Sequence, residues 1–244
     1  MRFLTGIAIL GLIAITPGCG EADKSANSKA HNSALLEAPA PAPRSEYSPK
    51  LSQDYPKNVY FGDTHLHTSF SFDAGMVGNS LGPEQAYRFA KGETVTASLG
   101  ERAKLSRPLD FLVIADHAES LGIAPMIAED NPIVMNDPQG RELYDLVKGG
   151  GDPIEAYKRF AQIRATTGNP PMHNDGVRRS MWDRITSYAE THNDPGKFTA
   201  LIGYEFTSSM QTNNLHRVVV YKDGRDKANS ILPFSAVESA NPED

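Results

Sequence analysis

This sequence predicts an α/β fold, and three observations carry the prediction. An apolar run rich in branched residues, 109–115, is typical of a strand buried in a parallel sheet. Stretches with helical spacing of apolar residues separate this run from two later strand-like runs. Histidines and carboxylates follow or end these strands, and in α/β barrels the reactive groups collect at the carboxyl ends of strands.

The chain begins with the shape of a secretory signal, residues 1–19. Its apolar run, 3–15, is shorter than the roughly 18 residues of a membrane-spanning helix. Gly18-Cys19 resembles a bacterial lipoprotein processing site, which predicts an exported protein anchored by a lipid at Cys19, in the periplasm or on the outer surface of a bacterium. Thr16, where Leu is usual, favours the alternative of ordinary cleavage nearby with an incidental thiol.

Residues 20–55 are rich in Ala, Pro and Ser and predict an extended linker to a domain at 56–244. Cys19 is the only cysteine, so the exported part has no internal disulfide and no cysteine-based metal site. Any metal must be held by histidine and carboxylate, which suit zinc, manganese or iron.

The first predicted strand, 59–61, leads directly into Asp63, His65 and His67. Residues two apart in a strand share a face, so both imidazoles should point the same way and could bind one cation. The alternative is a pair of solvated histidines at the end of a strand.

Helical stretches follow at 82–91, 154–165 and 177–191, the first with Pro83 in its first turn. The aromatic residues of the second and third stretches are predicted to belong to the core. Between the first two stretches, Asp116 and His117 come directly after the strand 109–115. This position favours a functional role, while a helix cap is the alternative for Asp116.

The last two predicted strands are 198–206 and 216–221. The short polar segment between them cannot make a parallel crossover, so the two strands should be antiparallel. Glu205 and His216 then lie at the same rim. The alternative is that Glu205 is a solvated charge at the edge of the sheet and that His216 is a polar residue at the start of a strand.

The long insertion between residues 116 and 198 is where substrate specificity is expected, because loops at this end of a barrel commonly shape the pocket. The candidates for contacting a substrate are His173, Asp175, Arg178, Arg179 and His192, each of which could instead be a solvated polar residue. The net charge is −6, and the sequence shows no basic stripe of the kind that binds nucleic acid. The expected partner is therefore a small molecule. The sequence predicts no oligomeric state.

These residues together resemble the polymerase and histidinol phosphatase (PHP) superfamily of metal-dependent phosphoesterases. The resemblance covers residues 58–223 and depends on the order of its motifs. The motifs are His65-Leu66-His67-Thr68, Asp73, Asp116-His117, Gly203-Tyr204-Glu205 and His216. More narrowly, 60–65, 198–207 and 213–221 resemble a bacterial branch catalogued as domain of unknown function 3604.

The resemblance implies a distorted β/α barrel of the TIM-like, PHP type with up to three metal ions. His65, His67 and Glu205 would bind the first, and Glu205 would bridge to a second ion held by His216. Asp73 and His117 would hold the third. Asp116 would act behind these ligands.

Members of the superfamily complete these sites with later residues, and the sequence after His216 contains no further histidine. A β/α barrel usually takes about 250 residues, more than the 56–244 domain has. We therefore expect an incomplete barrel, the N-terminal portion of a longer hydrolase domain.

The expected function is metal-dependent hydrolysis of a phosphoester by a metal-bound hydroxide. Hydrolysis of an ester, amide or carbamate on the same cluster, as amidohydrolases perform, is an alternative. A different class of protein, a metal-binding surface lipoprotein without catalysis, is favoured by the absence of the late ligands.

Overall fold

The computed structural model describes residues 58–210 and 213–244. The predicted signal sequence, the lipidation site Cys19 and the predicted linker all lie outside the described residues. No helix within the described ranges combines the length and apolar character needed to cross a membrane.

The described part alternates strands and helices along the chain. In chain order the elements are β1 (Gly62–Leu66), α1 (Phe72–Met76), α2 (Pro83–Ala90), β2 (Val95–Thr96), β3 (Arg102–Ala103), β4 (Phe111–Ile114), α3 (Ile123–Ala128), α4 (Pro132–Asn136), α5 (Pro138–Lys148), α6 (Pro153–Thr167), α7 (Asp175–His192), β5 (Thr199–Leu201), β6 (Gly203–Met210), β7 (Asn213–Val220) and α8 (Arg225–Ala228).

The centre of the fold is a parallel sheet of three strands in the order β1-β4-β5. Phe111 of β4 pairs with Gly62 of β1 on one side and with Thr199 of β5 on the other. Leu112, Val113 and Ile114 are buried, as expected for a strand covered on both faces. The α/β class and the buried parallel strand are thus confirmed. Among the described strands no closed barrel is detected, so barrel closure stays a prediction.

Strand β6 continues past β5 after a break at Ile202 and stays beside the segment that follows β4. His117 and Glu205 form a parallel bridge at the same offset that pairs Phe111 with Thr199. A β-carbon at Gly203 would lie only 2.6 Å from Val113 Cγ1, which explains why a glycine begins this strand.

The hairpin of β6 and β7 confirms the predicted antiparallel pair. The predicted strand 198–206 is divided into β5 and β6 at Ile202, and β6 runs on to Met210. Strand β7 begins at Asn213, three residues earlier than predicted, because the pairing extends from Gly203–Val220 to Met210–Asn213. The polar segment expected to be a loop is therefore mostly strand. His216 lies opposite Thr207 in this register.

The three predicted helices are present as α2, α6 and α7, and local chemistry explains where they begin. Pro83 occupies the first turn of α2. The side chains of Asp152 and Asn174 cap α6 and α7 by accepting hydrogen bonds from the N–H groups of Ile154 and Val177. The other five helices of the described residues were not predicted; four of them have six residues or fewer, and α5 has 11.

Packing of α7 against the sheet forms much of the core. Trp182 is 1% exposed, and its ring meets Tyr204 of β6 and Tyr221 edge-on or tilted, at 5.9 and 5.8 Å between centroids. The indole N–H donates to the carbonyl of Ala228 at 3.0 Å. Phe160 of α6 stacks on Phe72 of α1. The predicted aromatic core residues of α6 and α7 are therefore confirmed in the described structure.

Candidate metal centre

His65 near the end of β1 and His67 directly after it point to the same side of the chain, as their spacing predicts. Their ring centroids lie 5.2 Å apart. Both Nε2 atoms face the same oxygen, Oε2 of Glu205, at 3.0 Å from His65 and 2.6 Å from His67. A single cation placed among these three atoms would contact two imidazoles and one carboxylate, the ligand types that zinc uses.

Glu205 is completely buried and occupies the centre of the cluster. Its second oxygen, Oε1, contacts Nδ1 of His216 and accepts a hydrogen bond from the Thr207 hydroxyl at 3.0 Å. Burial acts to raise the pKa of Glu205, but contacts with His67 and His65 outweigh it and hold that pKa well below its usual range. The carboxylate is therefore ionised and able to contact two cations, one through each oxygen.

Asp73 and His117 form the third part of the cluster. Asp73 is in the first turn of α1, and its Oδ2 lies 3.1 Å from Nδ1 of His67 and 3.5 Å from Nε2 of His117. Burial acts to raise the pKa of Asp73, yet the hydrogen bonds with both histidines keep it far below its usual range. The backbone N–H of His117 donates to the Ser71 hydroxyl at 3.1 Å, and this bond connects the loop after β4 to the turn before α1.

The four histidines and two carboxylates fall into three groups of potential ligands. These groups are His65, His67 and Glu205; His67, Asp73 and His117; and His117, Glu205 and His216. Within each group the ligand atoms lie within 4.8 Å of one another. Zinc–ligand bonds are about 2.0–2.2 Å long, so small side-chain rotations would bring each group around one cation. The residues present thus fit divalent metal ions, although three ions would have to share His67, His117 and Glu205.

The carboxylates raise the pKa values of two histidines in the metal-free protein. Burial alone would lower the pKa of His67, but the neighbouring Asp73 and Glu205 carboxylates raise it to about 10. Burial would likewise lower the pKa of His117, but the Asp73 and Glu119 carboxylates raise it to about 9. Both rings are therefore protonated at neutral pH, and a cation must displace these protons to bind.

This competition predicts that metal binding strengthens as the pH rises from 7 towards 10 and that protons are released. The same protons also affect folding of the metal-free protein. Because folding raises the pKa values of His67 and His117 from 6.5 to about 9–10, their protonation stabilises the fold fully below pH 6.5. This stabilisation is lost as the pH rises through 9–10. Calorimetric titration with zinc in two buffers of different ionisation enthalpy measures the protons released. Urea unfolding of the metal-free protein at pH 7 and 10 measures the loss of stability. Binding and stability that both stay constant over this range would contradict the prediction.

Asp116 caps no helix and instead binds Thr68, the residue that follows His67. It is 1% exposed, and its carboxylate accepts hydrogen bonds from the Thr68 N–H at 2.5 Å and from the Thr68 hydroxyl at 2.8 Å. Burial raises the pKa of Asp116 to about 6, against the lowering effect of these two bonds. Asp116 thereby fixes the chain directly after His67, and its role behind metal ligands stays a prediction.

Replacing Asp116 by alanine is expected to destabilise the fold by about 1–3 kcal/mol, because two buried Thr68 donors lose their acceptor. Metal affinity should fall as well, since the segment after His67 is no longer held. Asp110→Ala is a matched control, because Asp110 accepts one exposed backbone bond from Phe61 before the same strand. Urea unfolding and zinc titration of both variants measure the difference. Equal losses in the two variants would refute the supporting role of Asp116.

The sequence analysis missed two polar residues of the site. The Thr207 hydroxyl lies 3.0 Å from Nδ1 of His117 and 3.2 Å from Nδ1 of His216. Its spacing of two from Glu205 places it on the same face of β6, so strand periodicity could have found it. Glu119 is completely buried, with Oε2 3.6 Å from Nδ1 of His117. No sequence signal singles out Glu119, because its burial depends on segments far away along the chain.

The candidate substrate contacts lie elsewhere in the fold, and none belongs to a group of metal ligands. Arg178 is buried and pairs with Glu238 at 2.8 Å, and His173 lies 3.3 Å from the same carboxylate. The structure places the other three as follows: Asp175 pairs with Arg178, Arg179 donates to the carbonyl of Asn229, and His192 contacts Glu84 and stacks on Tyr87. Their roles in binding a substrate stay predictions.

Comparison with known proteins identifies one family. Searches of curated proteins and of solved structures found no match. A family model described as "Protein of unknown function (DUF3604)" matches residues 54–244, which include every predicted metal ligand. Because this match covers most of the chain, the protein belongs to the DUF3604 family.

Proposed function

We propose that this protein is a metal-dependent hydrolase of the PHP superfamily that acts on phosphoesters. The observation that carries the proposal is the meeting of four histidines and Asp73 around one buried carboxylate, Glu205. These side chains come from separate elements: β1, α1, the loop after β4, β6 and β7. Such a ligand set suits zinc, manganese or iron.

The arrangement of the strands supports a barrel of the PHP type as part of this proposal. Strands β1 and β4 are parallel, so their carboxyl ends lie at the same edge of the sheet. His67 follows the end of β1, and His117 follows the end of β4. Ligands at this edge are what the active end of a β/α barrel would present.

The geometry of Glu205 supports a centre with more than one cation. Its Oε2 faces His65 and His67, while its Oε1 faces His216, so each oxygen can serve a different ion. When bound, such ions would polarise the phosphoryl group and activate a water molecule. The side chains of His65 and His216 are 41% and 46% exposed, which leaves the cluster open to a substrate.

One observation favours a carbonyl substrate, that is an ester, amide or carbamate, as the second candidate. Arginine is the side chain best suited to grip a phosphate. Arg178, the buried candidate, already binds Glu238 and the carbonyl of Pro233. Arg178 is therefore already engaged and does not offer its guanidinium to a phosphate, whereas a carbonyl group needs no such partner.

The deciding experiment measures bound metal in the full chain and then hydrolysis of aryl phosphates and aryl esters. Phosphatase activity that depends on added zinc, manganese or iron supports the first proposal, and esterase activity supports the second. Bound metal without turnover would instead favour the metal-binding lipoprotein. A chain that binds none of these ions would refute all three.

We also propose that the protein is exported and held at a membrane by a lipid on Cys19. The support is the apolar run 3–15 followed by Gly18-Cys19. Cys19→Ser should release the protein from the membrane fraction of a bacterial host. Unchanged fractionation of this variant would refute the anchor.

A further inference from the structure

His117 belongs to two of the three ligand groups, and a neutral imidazole offers a metal only one nitrogen at a time. Its Nε2 faces Asp73 at 3.5 Å, while its Nδ1 lies 3.7 Å from Oε2 of Glu205. Which nitrogen carries the proton therefore decides which cation His117 can bind. That choice depends on what surrounds Nδ1.

Besides Oε2 of Glu205, two acceptors lie on the Nδ1 side of the ring. The Thr207 hydroxyl is 3.0 Å away and donates its own proton to Glu205, so its oxygen is free to accept from His117. The Glu119 carboxylate is 3.6 Å away, too far for a hydrogen bond but close enough for a strong electrostatic contact in a buried site. Both favour a proton on Nδ1.

Glu119 is an unusual group to find completely buried. Its Oε1 accepts a hydrogen bond from the Ala236 N–H at 2.9 Å, which fixes the carboxylate. Its Oε2 has no hydrogen-bond partner among the described residues. A buried carboxylate oxygen is costly unless a positive group faces it, and the Nδ1–H of His117 is such a group.

We propose that Glu119 is a positioning residue that keeps the proton on Nδ1 of His117, so that Nε2 binds the cation shared with His67 and Asp73. This inference rests on the proposed metal centre and assigns His117 to one of its two possible cations. The ion between Glu205 and His216 then receives no nitrogen from His117. Because Ala236 holds Glu119, the segment after α8 also takes part in orienting this ligand.

The test uses the full chain carrying Glu119→Gln, which keeps the size of the side chain but removes its charge. Zinc affinity, measured by competition with a coloured chelator, should fall by about 10-fold or more, the usual cost of losing the outer partner of a metal-bound histidine. Glu119→Leu, which also removes the acceptor oxygens, should lose more. Unfolding curves of the metal-free variants identify any loss that comes from misfolding.

Nitrogen NMR of the zinc-loaded protein gives a readout that a purely structural role would not change. We expect a proton on Nδ1 of His117 and metal on Nε2 in the native protein, with faster exchange of the Nδ1 proton in Glu119→Gln. Glu238→Gln is the matched control, because Glu238 binds Ser235 in the same segment without contacting a ligand.

Metal on Nδ1, native affinity in Glu119→Gln, or an equal loss in Glu238→Gln would each overturn the inference alone. A native protein that binds no zinc would overturn the metal centre itself and this inference with it.

Discussion

Replacing Glu205 by glutamine is expected to weaken metal binding more than any other single change. Glu205 belongs to two of the three ligand groups and supplies the oxygens that face His65, His67 and His216. A neutral amide cannot replace the charge of Glu205. Loss of a hydrogen-bond partner behind a metal ligand lowers affinity about 10–100-fold, and loss of this ligand's charge should lower it more. Metal analysis after dialysis should then find at most one tightly bound ion.

Glu84→Gln is the matched control for this change. Glu84 also contacts a histidine, since its Oε2 lies 2.7 Å from Nε2 of His192, but it belongs to no ligand group. The control should retain native metal content. If Glu205→Gln binds as many ions as the native protein, the metal centre described above is wrong.

Replacing Trp182 by alanine should cause the largest loss of stability, about 3–5 kcal/mol. The side chain is 1% exposed and fills the space between α7, Tyr204 of β6 and Tyr221, which follows β7. Its removal leaves a cavity, and the carbonyl of Ala228 loses its indole donor. Urea unfolding monitored by circular dichroism measures the change in the free energy of unfolding.

Leu99→Ala is the control for this second variant, because Leu99 is 90% exposed and its truncation should change stability by no more than about 0.5 kcal/mol. Trp182→Phe should fall between the two, since it keeps an aromatic ring but loses volume and the N–H donor. A loss below about 1 kcal/mol in Trp182→Ala would show that α7 does not pack on the sheet as described.

Local spacing predicted much of this fold. The run of branched residues before Asp116 identified β4, and the short polar segment before His216 required an antiparallel hairpin. Pro83 marked the first turn of α2. These features succeed because each depends on residues adjacent in the chain, whose periodicity and backbone preferences are visible without any tertiary contact.

The length of the hairpin was predicted poorly for a physical reason. Residues 207–210 and 213–215 are mostly polar and were taken for a loop, yet they pair as β6 and β7. Strand β7 is exposed over much of its length, so burial did not select apolar residues there. Polarity alone therefore does not distinguish an exposed hairpin from a loop.

Sequence by itself determined the types of ligand, and the spacing of two between His65 and His67 predicted that their side chains point the same way. Tertiary structure alone decided that His117 lies opposite Glu205, that α1 brings Asp73 to His67, and that Glu119 is buried beside His117. These proximities depend on the register between strands and on helix packing. Between segments far apart in the chain, both depend on which segments pack together, and the residues of one segment alone do not specify its partner.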